Sequence, residues 1–281
     1  MKIDGGGRSM GALAFVTGPV HLDEEGDDLR ADLGSALSEA LGASIVVESE
    51  RSYTALRDRV IARDAALAWL PPGLFVRAHE AGAVGGVMRA ERFAGARYQG
   101  AIFVRDGSSA TRAEDLRGMR VAWVDRDSCA GYLFPRLALR DCGVDPDACF
   151  GSETFTDSHA RVVAAVASGA VEAGATYVQL SDPERPSRGL AIAGWTAFAE
   201  TRSMRAVVVS ASIPSDAVCI GASVPDEVRV RWIEKLRAAH ALPRVSRLLR
   251  AMLGADRLAP GTPEDYAPVR EALLAEGALR S

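Results

Sequence analysis

Hydrophobic and polar positions along the chain follow two periods that alternate. "GALAFVTG" (Gly11–Gly18) is a short apolar run of strand length, and after it Leu29, Leu33, Leu37 and Leu41 recur at every fourth position, the spacing of one helix face. "ASIVVES" (Ala43–Ser49) predicts a strand. "YTALRDRVIARD" (Tyr53–Asp64) predicts a helix with Leu56, Val60 and Ile61 on one side, and "AALAWLPP" (Ala65–Pro72) a strand broken by its prolines.

A second series begins at "YQGAIFVR" (Tyr98–Arg105). Thr111 and Glu114 have capping-box spacing ahead of a short helix through Leu116 that Gly118 ends. "RVAWVD" (Arg120–Asp125) predicts a strand and "YLFPRLALRDCG" (Tyr132–Gly143) a helix whose Pro135 must fall in the first turn. "SETFTD" (Ser152–Asp157) leads into "SHARVVAAVASG" (Ser158–Gly169), with Val162, Val163 and Val166 on one face and Gly169 as the stop. "VEAGATYV" (Val171–Val178) and "RAVVVSASIP" (Arg205–Pro214) predict strands on either side of the polar loop "SDPERPSRG" (Ser181–Gly189). From Pro225 the pattern is helical, through Val228, Trp232 and Leu236, then Ala241–Leu253 and Pro263–Ala278. With no strands left to pair with, these helices are expected on the first lobe. Strand and helix patterns in alternation predict an α/β architecture of two lobes. The first lobe takes residues 1–100 and 203–281, and the second, residues 101–202, is inserted; two crossings make a hinge with a ligand cleft.

Composition narrows the function classes. The 281 residues are 48% hydrophobic and 25% charged, with a net charge of -4. No basic stripe offers a phosphate-backbone footprint, so nucleic acid is not expected as a partner. No apolar run reaches the length of a membrane span. Cys129, Cys142, Cys149 and Cys219 form no CxxC pair and lack histidines at ligand spacing, so no metal and no cofactor are expected; free thiols are the default, with a Cys142–Cys149 disulfide as the alternative in an oxidising compartment. Lys2 and Arg8 precede an apolar run that reads better as a buried strand than as a signal peptide. A leader already removed places the protein in the periplasm or outside the cell; a native N-terminus places it in the cytoplasm.

Between the strand at Arg120–Asp125 and the following helix stand Ser128, Cys129, Ala130 and Gly131. The first N–H groups of a helix lack internal partners and carry partial positive charge, and a serine hydroxyl adds a donor, so such a turn can hold a small anion. The same residues also read as an ordinary cap, made by Ser128 or Asp127.

"DLRGMRVAWVD", "GYLFP" and "SHARVVAAVASG", in that order, closely resemble the phosphonate-binding, PhnD-like group of ABC-transporter substrate-binding proteins. The resemblance is strongest over residues 98–176 and extends loosely over 11–230. It implies a type II periplasmic-binding-protein fold closing on a small oxyanion, with an ABC-transporter permease as partner. In the phosphonate binders this turn typically reads Ser-Thr-Ser-Gly; here Ser128 keeps a hydroxyl, while Cys129 and Ala130 do not. The resemblance also places Tyr53 and Tyr98 against the ligand, His159 on the anion, and Asp216 on the amine of an aminoalkyl ligand, whose second acidic partner is replaced near Gln179. Tyrosines as core aromatics and Asp216 as a turn former are the bland alternatives.

Three functions stay open on the sequence: a solute-binding protein without turnover, a cytosolic enzyme on the same fold like those of menaquinone synthesis, and a cytosolic metabolite sensor. Cys129 at a helix start is the one candidate nucleophile, with His159 as partner and no third orienting group.

Overall fold

A computed structural model describes residues 12–18, 26–91, 97–182, 189–196 and 203–279. The Lys2 and Arg8 positions and most of the polar 181–189 loop lie outside that set.

The chain forms two units, each with its own six-stranded sheet and its own core. Unit 1 comprises Met1–Leu70, Arg77–Ala94 and Asp216–Pro263. Its sheet begins with β1 (Leu13–Thr17), parallel to β2 (Ile45–Ser49) and to β3 (Leu67–Leu70). Helix α1 (Gly26–Leu41) links the first two strands and α2 (Tyr53–Ile61) leads on to the third. The leucine spacing holds: Leu33, Leu37 and Leu41 are buried on Phe15 and Ile45, and Leu29 packs at the edge of that core. In α2, Leu56 and Val60 are buried, but Ile61 at the helix end is exposed.

Beyond β3 the sheet continues antiparallel through β11 (Ala217–Gly221), β4 (Val84–Glu91) and β12 (Arg257–Pro260). Helices α7 (Asp226–Ala238) and α8 (Pro243–Leu253) cover it with Trp232, Leu236, Leu248 and Leu249. The expectation that no strands remain among the C-terminal helices fails at β12, which adds to β4 as an edge.

Unit 2 comprises Pro71–Val76, Gly95–Ser215 and Glu264–Ser281, so the division falls within α3 (Pro72–Glu80). Its sheet runs β10 (Met204–Pro214), β5 (Arg97–Arg105), β8 (Ala173–Leu180), β6 (Arg120–Trp123) and β7 (Ser152–Phe155), with β9 (Leu190–Ala193) on β8. β6 is parallel to both β7 and β8. Helix α4 (Phe134–Asp141) carries Pro135 in its first turn, the short α5 (Pro146–Cys149) follows, and α6 (His159–Ser168) buries Val162, Val163 and Val166. Gly169 ends α6 at φ +78°, the left-handed conformation glycine adopts without strain. The turn at Thr111 is capped by Asp115 rather than Glu114: the Asp115 carboxylate accepts from the Thr111 and Arg112 amides at 2.8 and 3.1 Å.

The unit boundaries correct the expected lobe limits. β10 belongs to the second sheet because it pairs antiparallel with β5 along most of its length. Helix α9 (Ala267–Ala275) also belongs to unit 2: Tyr266 packs on Phe75 with ring centroids 4.3 Å apart and tilted by 50°, and Glu276 beyond the helix accepts from Arg136 at 3.0 Å. An amphipathic pattern shows that a helix is covered, not by which core. Among the described residues no helix is long and apolar enough to cross a membrane.

Candidate functional site

In sheets with parallel strands, ligands gather at the carboxyl ends, where loops and helix starts present unpaired N–H groups. In unit 2 the ladder between β6 and β7 runs on past the strands: the Thr156 amide donates to Trp123 O at 3.0 Å and the Asp157 amide to Val124 O at 2.9 Å. The turn after β6 and the turn after β7 are therefore held side by side.

The turn after β6 is tightly wired. Asp125 accepts from the Asp127 amide at 2.7 Å, and Ser128 Oγ accepts from the Gly131 amide at 3.0 Å. The helix opens with a wide turn, Cys129–Leu133, in which the Leu133 amide reaches Ser128 O at 3.0 Å, and α4 continues from it. Gly131 permits this: a β-carbon there would lie 2.4 Å from a Val124 methyl. The Ser128 cap is real, and it uses only an acceptor site of the hydroxyl, whose proton has no partner among the described residues. Cys129 and Ala130 are each 3% exposed, so Cys129 offers little surface to a reactant. None of Cys129, Cys142, Cys149 and Cys219 is in a disulfide.

The turn after β7 carries Asp157 at φ +63°, a left-handed position held by a non-glycine residue. Ser158 caps α6, accepting from the Arg161 amide at 3.2 Å, and His159 is the first helical residue. Its Nδ1 lies 3.0 Å from Thr176 Oγ1, and its ring meets Tyr177 edge-on at 5.2 Å. Desolvation pulls the imidazole down to about 4, so at neutral pH it is uncharged. Asp125 moves the other way, to about 6, because burial and the neighbouring Asp127 and Asp157 charges outweigh the amide bonds it accepts.

Tyr98 lies at the start of β5 and Gln179 near the end of β8; Gln99 pairs with Val178 between them. The structure thus brings Tyr98, Ser128, Cys129, Ala130, His159 and Gln179 to one edge of one sheet. Tyr53 and Asp216 are placed in unit 1. Tyr53 opens α2 behind a Ser52 cap and lies so near Gly18 that a β-carbon there would stand 2.8 Å from its ring. Asp216, between β10 and β11, is 9% exposed rather than a surface turn residue, and its carbonyl accepts from the Ala90 amide at 2.9 Å.

Sequence reasoning missed three groups. Thr176, which orients His159, is visible only once the neighbouring strand is placed. Asp125 reads as the last residue of a strand. Trp69, near Gly18 and Tyr53, has a buried indole N–H with no partner among the described residues; an orphaned donor beside a candidate contact is the signal. No group of metal-ligating side chains occurs among the described residues.

Two α/β units, one with paired helix starts at the carboxyl edge of its sheet, define a periplasmic-binding-protein-like molecule. The family model of the periplasmic substrate-binding protein of phosphonate ABC transporters matches residues 15–266, and the chain belongs to that family. No curated protein sequence matches the chain. Among solved structures, it is similar to a binding-protein component of a phosphonate ABC transporter from Pseudomonas aeruginosa, with TM-score 0.75 and 16% identity over 95% of this chain and 86% of that one. PhnD1 from Prochlorococcus marinus (MIT 9301), solved with methylphosphonate, gives 0.74 and 17% over 95% and 99%. XAC2383 from Xanthomonas citri, bound to ATP, gives 0.74 and 16% over 96% and 99%.

Proposed function

We propose that this chain captures a small oxyanion of the phosphonate class in the periplasm and delivers it to an ABC-transporter permease, without turnover. The anion is received at the start of the helix after β6 by the Ser128 hydroxyl and the amides of that turn. His159 is a neutral donor to the ligand in the tautomer in which the Thr176 hydroxyl, 3.0 Å from Nδ1, donates to that nitrogen and the ring carries its own proton on Nε2. Tyr98 and Gln179 flank this edge. In unit 1 the candidate contacts are Tyr53 and Asp216, with the buried Trp69 N–H as a further candidate donor.

The observation that carries the reading is the pairing of the Ser128 and His159 helix starts by the backbone bonds that extend β6 and β7. Family membership supports it. Donors without formal charge suit a site that must release its anion as well as bind it.

Calorimetric titration with methylphosphonate, 2-aminoethylphosphonate, phosphite, phosphate and sulfate tests the assignment. Ser128→Ala and His159→Ala should each weaken the preferred ligand about ten- to a hundred-fold, the worth of a hydrogen bond to a charged group. Unchanged affinity in both variants would remove the site from this edge.

A further inference from the structure

His159 stands at the start of α6, but what its ring can offer a ligand is decided on the neighbouring strand. Its Nδ1 lies 3.0 Å from Thr176 Oγ1, and its Nε2 has no hydrogen-bond partner among the described residues. Thr176 sits inside β8, fully buried and paired with Ala101 of β5. Its hydroxyl makes no other hydrogen bond with the described residues.

Two placements of hydrogen satisfy that contact, and burial separates them. If Nδ1 carried the ring proton and donated to Oγ1, the threonine proton would be left inside the protein with no acceptor. A buried donor without a partner bears the whole cost of its lost hydration. If the hydroxyl donates to Nδ1, both groups are paired and the ring proton stands on Nε2. Desolvation also pulls the imidazole down to about 4, so at neutral pH the ring holds one proton and not two.

The threonine is itself held in place. Gly194, directly after β9, donates from its amide to Tyr177 O at 2.9 Å and closes over Thr176: a β-carbon there would collide with Oγ1 and stand 3.0 Å from Cγ2. A β-branched side chain has few χ1 positions to retreat to, so Oγ1 stays at Nδ1.

We infer that Thr176, with Gly194 closed over it, is a positioning residue that fixes His159 in the Nε2–H tautomer and makes it a donor only. The inference rests on the reading of His159 as an oxyanion contact. Its consequence is a rule of selection at one atom: the ligand oxygen that meets Nε2 carries no proton, and the P–OH of a singly ionised phosphonate must face another group.

Heteronuclear NMR of the ligand-free full chain, nitrogen-labelled at histidine, reads the tautomer without reference to any ligand. His159, assigned by loss of its signals in His159→Ala, should show a protonated Nε2 and an unprotonated, hydrogen-bonded Nδ1. Thr176→Val removes the hydroxyl and should move both nitrogens toward the averaged positions of free imidazole. Thr176→Ser should restore the parent pattern, and Gly194→Ala should resemble Thr176→Val. In calorimetry with methylphosphonate, Thr176→Val should bind about three- to ten-fold more weakly than the parent and have no further effect in a His159→Ala background. A proton on Nδ1 in the parent, or spectra unchanged in Thr176→Val, would overturn the inference whatever the ligand does. So would equal weakening by Thr176→Val with and without His159, the mark of a merely structural role. The predicted spectra together with undiminished binding by His159→Ala would uphold the tautomer lock and overturn the oxyanion reading of His159 instead.

Discussion

A serine hydroxyl has one proton to give and two lone pairs to receive, and the Ser128 hydroxyl accepts one amide, that of Gly131. Ser128→Ala should therefore act twice: it should lower the stability of the ligand-free chain by about 1 kcal/mol through the lost cap, and weaken the ligand separately. The next two positions, Cys129 and Ala130, supply no hydroxyl. Cys129→Thr with Ala130→Ser should tighten methylphosphonate by about ten-fold where the new hydroxyls reach it, measured by calorimetry.

Asp125 and His159 are displaced in opposite senses, and the signs matter. The imidazole titrates near 4 in the folded chain and at 6.5 ordinarily, so in that window the unfolded chain holds more protons and stability falls as pH falls. The Asp125 carboxyl titrates near 6 against 3.8, so in its window the folded chain holds more protons and stability falls as pH rises. Each effect is at most about 3 kcal/mol, and over the shared range they oppose. Denaturant unfolding from pH 4 to 7 should show Asp125→Asn losing stability on acidification more steeply than the parent, and His159→Gln less steeply. Parallel profiles for all three would show that neither group is displaced.

Among the elements, α9 depends on a buried ionic cluster. Arg136 is 3% exposed at its side chain, reaches Glu276 at 3.0 Å and Glu153 at 3.5 Å, also pairs with Asp147, and lies over the Tyr132 ring at 5.0 Å. Arg136→Met leaves the Glu276 carboxylate buried with Arg140 as its remaining partner, at a cost of about 3–5 kcal/mol measurable by denaturant unfolding. Gly100 on β5 packs against the turn after β6: a β-carbon there would lie 2.8 Å from Ala130 O. Gly100→Ala should lower ligand affinity as well as thermal stability, whereas a purely structural role would move stability alone.

Elements with a clean period were legible: the leucines of α1, the valines of α6 with its glycine stop, and the apolar runs of β1, β3, β6 and β8. β4 was not, because its glycines interrupt any alternation. A β-carbon at Gly85 would meet the end of the Arg229 side chain, which is flexible enough to move aside. β12 is four residues ending in proline, too short and too irregular to show a period. Ile61 was expected inside because it continues the α2 stripe, but the helix ends there and its side chain passes the core edge.

The whole molecule was legible as two α/β units with a discontinuous chain, while the limits of the units were not. Pairing between β5 and β10, and the ionic anchorage of α9, are tertiary choices that local pattern does not encode. The candidate site divides the same way. Ser128 and His159 stand at helix starts that the sequence marks, whereas Thr176 and Trp69 enter only through neighbouring strands.

The most direct test of the central claim is thermal unfolding of the chain against phosphonates, phosphite, phosphate, sulfate and small carboxylates, alongside a Ser128→Ala, His159→Ala double variant. A phosphonate-class ligand at a hundred times its dissociation constant should stabilise the parent by about 2.7 kcal/mol and lose that effect in the double variant. No shift with any oxyanion, or an equal shift in the double variant, would contradict oxyanion capture at the Ser128 edge.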